Sequence, residues 1–293
     1  MDDNIIKSKG LTKSDNIIKG DRPRALKARK KKTTAQKTQP EMWKFFITYT
    51  DFTPLRRSLR IQCYDERCGL EANKENKNEH LTPSRIFNPA LYPDYFKPQD
   101  ITVVWGHWRF LACPTAQVKC SDCGKFPFHL GCLVVSIDGE CLAKLPDEIQ
   151  PRCVVTVFFG HGNGHNVVTK IKEKPNTAQV ALLKACVSAL IEVINVCDVD
   201  KPKHGDEYTF PLHTLVIQTD SSYIYQGVTE WMPKWKASGW KNSRGRPIAN
   251  EGLWRLVDLW IRHLEPTVAV QFWLVPRELN SWAREMSKWA LEN

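Results

Sequence analysis

Asp138 ends a short run of apolar and β-branched residues, LVVSID (133–138), just before a glycine and further polar residues. This pattern is typical of a buried strand that delivers one carboxylate to a functional edge of a sheet. A second run of this kind, HTLVIQTD (213–220), ends at Asp220. Carboxylate oxygens suit hard cations such as Mg²⁺. Asp138 is therefore a candidate metal ligand, either in a working site or in the remnant of one.

A cysteine cluster precedes the first of these strands. The segment CSDCGKFPFHLGC contains Cys120, Cys123, His129 and Cys132 in a C-x2-C-x5-H-x2-C spacing, and Cys113 lies close by as a spare ligand. Four such ligands could hold one tetrahedral Zn²⁺, which would be structural because no coordination position stays open. Alternatively, His129 and Cys132 belong to the lead-in of the strand and bind no metal.

Aromatic and basic residues alternate in WMPKWKASGWKNSRGR (231–246). The segment combines three tryptophans with five cations, namely Trp231, Trp235, Trp240, Lys234, Lys236, Lys241, Arg244 and Arg246. Flat rings stack on sugars or bases while cations neutralise phosphates, which is the combination a nucleic-acid groove needs. The alternative is that the tryptophans pack the segment onto the protein body, and this alternative is stronger for Trp231 and Trp240 than for Trp235.

The elements that must position these residues can be read from residue 130 onward, where β-branched runs alternate with stretches of helical spacing. In TAQVALLKACVSALIEVINV (177–196), apolar residues recur every three or four positions, which predicts a helix with a buried face. Strands are predicted at 133–138, 153–160, 165–171, 213–220 and 268–276, and further helices at 250–264 and 280–293. This order predicts an α/β fold with a mixed sheet.

Composition limits the class of protein. The 293 residues suffice for one sizeable core with an appendage. A surplus of 42 basic over 32 acidic residues gives a net charge of +10, which favours a polyanionic partner such as nucleic acid. The sequence shows neither a secretory leader nor an uninterrupted apolar span, so we expect a soluble intracellular protein without membrane association. Its ten cysteines are then expected to be free thiols or metal ligands.

The N-terminal third differs from the remainder of the chain. Residues 1–40 have almost no apolar periodicity, which predicts a disordered basic arm. Within this arm, RPRALKARKKK (22–32) concentrates seven basic residues, the pattern of a nuclear-import signal or a phosphate-binding tether; a merely solubilising tail is the alternative. Residues 41–129 are interpreted as an irregular N-terminal extension that ends in the cysteine cluster, and 130–293 as the main domain.

The main domain resembles ribonuclease H type 1. The resemblance rests on SIDGEC in the first strand, on IQTDSSYIYQGVTEWMPKWKASGWKNSRGRPIAN after the fourth, and on VPRELNSWAREMSKWA at the end. It implies a ribonuclease H-like fold, with a five-stranded mixed sheet flanked by helices. Enzymes of this family cut the RNA strand of an RNA/DNA hybrid with four carboxylates that hold two Mg²⁺ ions.

The four carboxylates are incomplete here. Asp138 and Asp220 match the acids of the first and fourth strands, whereas Leu182 and Arg284 stand where the other two belong. We therefore expect Mg²⁺ to bind weakly or not at all, and cleavage to be lost or strongly reduced, as in a pseudoenzyme. Arg284 could instead approach both aspartates and fill the space of a metal ion.

Two neighbouring acids could rescue the metal site. Glu140 would share the face of Asp138 if the strand continued that far, and Glu285 is one residue past Arg284. The histidine that the family usually has before its last helix is also missing, because VPRELN runs through Arg277 and Glu278.

The residues that bind nucleic acid in the family are better preserved. Matches are found at Thr177, Gln179, Tyr223, Trp235, Ser243 and Asn250, whereas Pro175 replaces the usual arginine of the phosphate pocket. Together with Lys234, Lys236 and Lys241, they predict a monomeric protein that binds RNA/DNA hybrid or a related duplex. An active hybrid endoribonuclease with a rearranged metal site, and a protein-interaction scaffold on the same fold, are the alternatives.

Overall fold

The structure is a computed structural model that describes residues 85–142, 152–172, 176–197 and 212–293. The predictions for the basic arm 1–40, its run 22–32, the first part of the extension (41–84) and Pro175 fall outside these residues.

One mixed sheet forms the centre of the fold. Its strands are β1 (Thr102–Trp105), β2 (Trp108–Ala112), β3 (Phe128–Cys141), β4 (Cys153–Phe158), β5 (Val167–Ile171), β6 (Thr214–Thr219) and β7 (Ala269–Leu274). β1 to β5 follow one another in antiparallel pairs, while β6 pairs in parallel with both β3 and β7. The long strand β3 therefore borders β2 and β4 along one edge and β6 along the other.

The five strands predicted from the sequence are β3 to β7, and all five are confirmed. The extension adds β1 and β2, so the sheet has seven strands rather than five. Side chains of the extension such as Phe110 and Leu111 lie in the same hydrophobic core as Leu133 and Phe272 of the main domain. The core is shared because β2 pairs with β3, which places the apolar side chains of both strands in the same hydrophobic layer.

Helices cover the sheet. The three predicted helices are confirmed as α1 (Ala178–Cys197), α4 (Glu251–Leu264) and α5 (Ser281–Glu292). Between β6 and α4 the chain adds α2 (Ser222–Gln226), a π-helical segment (Gly227–Trp231) and α3 (Met232–Ala237). A 3-10 turn, Arg277–Asn280, leads into α5.

α1 is the most apolar helix. Its length and composition alone would suit a membrane span, and half of the span is buried inside the protein. The buried side chains include Val180, Leu183 and Leu190, as the helical spacing predicted. α1 packs against β3 and α4. This is the packing of the core helix of an α/β domain.

One pair of cysteines departs from the sequence expectation of free thiols. Cys141 and Cys153 lie directly opposite each other in the antiparallel pair β3–β4 and form a disulfide. Cross-strand neighbours bring their Cβ atoms close enough for this bond. Among the described residues, Cys120, Cys123, Cys186 and Cys197 are free thiols.

Candidate nucleic-acid interface and remnant metal site

Asp138 and Asp220 lie at the centre of the candidate site, as predicted. Ser136 of β3 stands opposite Gln218 of β6 in the parallel register. Two residues farther along each chain, Asp138 and Asp220 are therefore side by side on the same face. The pairing of the two strands thus explains why acids distant in the sequence meet.

The Asp138 carboxyl is buried, with 6% of the residue exposed. Burial raises the pKa of this carboxyl above its usual value; a hydrogen bond from Ser287 opposes the rise, and the negative charges of Asp220 and Glu140 add to it. Its Oδ2 atom has no hydrogen-bond partner among the described residues. A buried carboxylate with an unbonded oxygen is costly unless it is protonated or bound by a cation.

Asn280 ties the start of α5 to the sheet. Its side-chain amide donates hydrogen bonds to the carbonyl oxygen of Ile137 and to Oδ1 of Asp220, both at 3.0 Å. The residue is 1% exposed, so these bonds form in the interior. Because Arg284 follows Asn280 by about one helical turn, the same anchor holds Arg284 above Asp220.

Two guanidinium groups approach the other oxygen of Asp220. Nε of Arg284 lies 3.5 Å from Oδ2, and Nε of Arg277 lies 3.6 Å from the same atom. The predicted ion pair of Arg284 is thus present with Asp220. Among the ion pairs of the described residues, however, Arg284 has none with Asp138, so the expectation that it bridges both acids is wrong. The contact from Arg277 was not foreseen.

Leu182 occupies the place that the resemblance assigns to a glutamate. A Cβ on Gly139, the neighbour of Asp138, would lie 2.3 Å from the backbone nitrogen of Leu182. Glycine is therefore required here, since α1 crosses β3 too closely for any side chain. The side chain of Leu182 packs against the hydrophobic core. A hydrocarbon thus stands beside the aspartates where the family has a metal ligand.

The two possible rescue acids have different surroundings. β3 continues to Cys141, so Glu140 shares the face of Asp138, and its charge acts on that carboxyl. Glu285 instead acts on His161, whose pKa is lowered by burial and by Arg109 and raised by Glu285. Glu140 remains a candidate ligand, whereas no contact favours Glu285 as one.

The donor set does not fit a pair of magnesium ions. The described parts of the chain bring no three His, Cys, Asp or Glu side chains together in a way that could hold a metal ion. The oxygens of Asp220 already face nitrogen donors of Asn280, Arg277 and Arg284. Mg²⁺ prefers octahedral oxygen coordination, and two such ions need more anionic oxygens than Asp138 and Asp220 supply.

An aromatic cluster covers the segment after β6. Tyr223 contacts Trp231 and Trp254 with ring centroids 6.1 and 5.3 Å apart, and Trp235 lies 5.8 Å from Trp231 and 5.3 Å from Trp254. Trp254 is fully buried, whereas the other three rings are half-buried. A Cβ on Gly227 would lie 1.9 Å from Trp254, so glycine is needed where the π-helical segment crosses this ring. Tyr223 and Trp235 thus keep part of their surface exposed to solvent.

Three polar residues with expected binding roles also have structural ones. The Tyr223 hydroxyl accepts hydrogen bonds from the Asn250 amide at 3.3 Å and from Nε1 of Trp254 at 3.1 Å. Asn250 precedes α4 in a left-handed conformation (φ 58°). Thr177 accepts a hydrogen bond from the backbone of Val180 and so caps α1. The sequence had predicted only their binding roles.

The cations of 231–246 divide into two groups. Nζ of Lys236 lies 3.0 Å from Oδ1 of the buried Asp258, so Lys236 stabilises the attachment of α3 to α4. Lys234 and Lys241 are exposed. Trp240 is buried, as its structural alternative predicted, and the guanidinium of Arg255 lies over its ring. Two further residues with an expected binding role, Gln179 and Ser243, are exposed.

The four residues of the predicted zinc site lie partly in a strand and partly in the loop before it. β3 begins at Phe128, so His129 and Cys132 are held in the strand, while Cys120 and Cys123 stay in the preceding loop. Cys132 faces His213, with 3.8 Å between Sγ and Nδ1. In the described residues no three potential ligands come together here. The zinc site of Cys120, Cys123, His129 and Cys132 therefore stays a prediction, and so does the alternative in which His129 and Cys132 bind no metal.

The sequence analysis did not identify Arg109, which is buried beside the site. Arg109 of β2 donates hydrogen bonds to Ser136 at 2.6 Å and to Gln218 at 2.5 Å, and burial lowers its pKa to about 10. Its partners lie two residues before Asp138 and Asp220 on the same face. No local pattern could reveal this contact, since it depends on the pairing of β2 with β3.

Comparisons with known proteins agree with this architecture. The family model for RNase H matches residues 133–272. Ribonuclease H of a Cyanothece species is 46% identical over 109 residues, which are 36% of this chain and 56% of the relative. Ribonuclease H of Bordetella avium is 47% identical over 51 residues, 17% of this chain and 33% of the relative. The chain thus spans about half or less of the length of these curated relatives.

Solved structures show the same similarity at lower identity. The RNase H domain of prototype foamy virus in solution has a TM-score of 0.38 and 16% identity, over 54% of this chain and 93% of that domain. A foamy viral protease-reverse transcriptase in complex with dsDNA has a TM-score of 0.40 and 18% identity, and the match covers 54% of this chain and 92% of that chain. Likeness at this level carries no inference about activity. From the sequence match and the observed sheet, we conclude that this chain contains a ribonuclease H-like domain.

Proposed function

We propose that this protein binds RNA/DNA hybrid or a related duplex and that its cleavage of the RNA strand is lost or strongly reduced. One observation carries the proposal: Arg284 stands where the family has a carboxylate and pairs with the retained Asp220 at 3.5 Å. A cation in that place opposes the binding of Mg²⁺ by like charge. Leu182 supports the same conclusion, because a hydrocarbon cannot ligate a metal ion.

The surface around Tyr223 and Trp235 supports the binding half of the proposal. Both rings pack against Trp254 and are half-buried, so each is positioned by the cluster and keeps some surface exposed to solvent. Lys234 and Lys241 are exposed on the same segment, where they can neutralise phosphates. Base or sugar stacking on fixed rings contributes about 1–3 kcal/mol per base, so two rings and two cations suffice for measurable affinity.

Fluorescence anisotropy with a labelled RNA/DNA hybrid tests this surface. Lys234→Ala and Lys241→Ala should each weaken binding and lower the slope of log affinity against log salt concentration by about 1. Lys119→Ala is the control for the loss of one positive charge, since Lys119 lies outside 231–246, over the ring of Phe126, and pairs with Asp100 at 2.9 Å. Hybrid affinity that does not change in either surface variant would favour a protein-interaction scaffold instead.

A second candidate function is hybrid cleavage through a rearranged metal site. The observation that favours it is Glu140, which shares the face of Asp138 and acts on its carboxyl. Cleavage by the purified protein in Mg²⁺ or Mn²⁺, abolished by Asp138→Asn and by Glu140→Gln, would establish this activity. Our proposal expects no cleavage above that of Asp138→Asn under either metal.

We further propose that the basic run 22–32 directs the protein to the nucleus and that the protein acts as a monomer. The run's seven cations support import. Replacing them with alanine in a fluorescent fusion should move the protein out of the nucleus; unchanged nuclear signal would contradict this role. Sedimentation of the purified protein measures its oligomeric state.

A further inference from the structure

The strongest unexplained feature is that Asp220 has two arginine neighbours. Arg277 and Arg284 both direct Nε at Oδ2 of Asp220, at 3.6 and 3.5 Å. Oδ1 is occupied by the amide of Asn280. Among the described residues, Asp220 is the acidic partner of both arginines, so the two guanidiniums share one carboxylate oxygen and keep donors for a further anion.

We propose that the former metal site is a phosphate-binding site, in which the guanidinium groups of Arg277 and Arg284 contact a backbone phosphate directly and take over the role of the metal ions. This inference rests on the proposed binding of nucleic acid and assigns the site its ligand. Two carboxylates and two guanidiniums add to a formal charge of zero, whereas Asp138 and Asp220 alone would repel a phosphate.

The hydrogen-bonding capacity of the two arginines supports this role. Each guanidinium has five N–H donors in a planar fork that matches the oxygens of a phosphate. Within the described ranges, neither group makes a hydrogen bond, and Asp220 is the acidic partner of both. Most of the donors therefore remain available. Arginine pairs with phosphate in a bidentate geometry, and such charge-assisted bonds are about twice as strong as neutral ones.

The exposure of the three side chains increases from the base of the site to its mouth. The side chain of Asp220 is 11% exposed, that of Arg284 is 29% exposed and that of Arg277 is 67% exposed. Asp220 thus holds the two cations from below, while their outer edges face solvent. A phosphate can reach these edges without the removal of any buried group. The two guanidiniums thus present N–H donors to solvent in the place that the resemblance assigns to metal ions.

Hybrid binding with and without divalent cation tests the inference. At constant ionic strength, the affinity of the wild-type protein should be the same within about twofold in Mg²⁺ and in EDTA, because the arginines supply the positive charge. Arg277→Ala and Arg284→Ala should each weaken binding by about 5- to 10-fold and lower the salt slope by about 1. Lys119→Ala serves as the control, with no loss beyond twofold.

The outcomes separate this inference from the proposed function. If the wild-type protein binds hybrid but loses affinity in EDTA, or if Arg277→Ala binds as tightly as wild type, the phosphate site is refuted while nucleic-acid binding stands. If the wild-type protein does not bind hybrid at all, both fail. Arg277→Ala is the decisive variant, because its exposed side chain can be removed with little effect on folding, which circular dichroism and thermal unfolding verify.

Discussion

The ion pair between Asp220 and Arg284 should be measurable as a coupling energy. At 3.5 Å and an effective dielectric constant of about 20, two unit charges attract by about 5 kcal/mol. Desolvation of a partly buried pair offsets most of this attraction, and Arg277 still neutralises Asp220 when Arg284 is removed. We therefore expect a net coupling of about 1–2 kcal/mol in a double-mutant cycle of Asp220→Asn and Arg284→Ala.

Urea unfolding followed by tryptophan fluorescence provides the four free energies of the cycle. Arg284→Ala should lower the free energy of unfolding by about 1–2 kcal/mol, and Arg284→Asp by about 2–4 kcal/mol, since attraction to Asp220 becomes repulsion. In Arg284→Asp, Mg²⁺ should restore part of the loss, because a cation now has an additional carboxylate. A coupling energy near zero, or Arg284→Asp as stable as wild type without Mg²⁺, would refute the assignment of Arg284 as the charge that replaces a metal ion.

Three further predictions follow from packing and protonation. Gly227→Ala should lower the free energy of unfolding by about 1–3 kcal/mol, because its Cβ would overlap Trp254; an unchanged melting temperature would contradict this. Burial raises the pKa of the Cys186 thiol to about 12, whereas backbone hydrogen bonds lower the pKa of the partly exposed Cys120 thiol. A thiol reagent near neutral pH should therefore modify Cys120 in the native protein and Cys186 only after unfolding, as peptide mass spectrometry would reveal. Burial also raises the pKa of Asp138, so between its unfolded value of about 3.9 and the raised value the folded protein holds a proton that the unfolded chain has lost. Stability should then fall as pH rises through this window, and Asp138→Asn should remove that part of the pH dependence in EDTA; parallel stability curves for the two proteins would show that Asp138 does not cause it.

The sequence predicted the local elements of the fold well. The strands that position Asp138 and Asp220 contain runs of apolar, β-branched residues, and α1 has apolar residues at helical spacing, so the local pattern indicates all three elements. The pairing of β2 with β3 is different. Trp108–Ala112 carries a strand-like composition, but its partner is decided by contacts across the chain and by a bulge near Phe110. Hydrophobic periodicity along the chain does not indicate which strands will pair with each other.

For the candidate site, too, the sequence indicated the residue types but not their contacts. The replacement of two acids by Leu182 and Arg284 could be seen from the sequence, because it is a matter of residue type at a known spacing. The contacts of Arg284 and Asp220 could not be seen from the sequence. Asp220 pairs with Arg277 as well as with Arg284, and Arg277 lies in a 3-10 turn before α5. His129 lies in β3, the placement that the sequence analysis offered as the alternative to a zinc ligand.

Cleavage of a labelled RNA/DNA hybrid by two proteins tests the central claim most directly. We compare the wild-type protein with a variant that carries both Leu182→Glu and Arg284→Asp, which restores four carboxylates around Asp138 and Asp220. In Mg²⁺, the wild-type protein should leave the RNA strand intact, and the restored variant should cut it in a reaction that EDTA stops. Cleavage by the wild-type protein that Asp138→Asn abolishes would contradict the account, because two acids flanked by arginine would then suffice for catalysis.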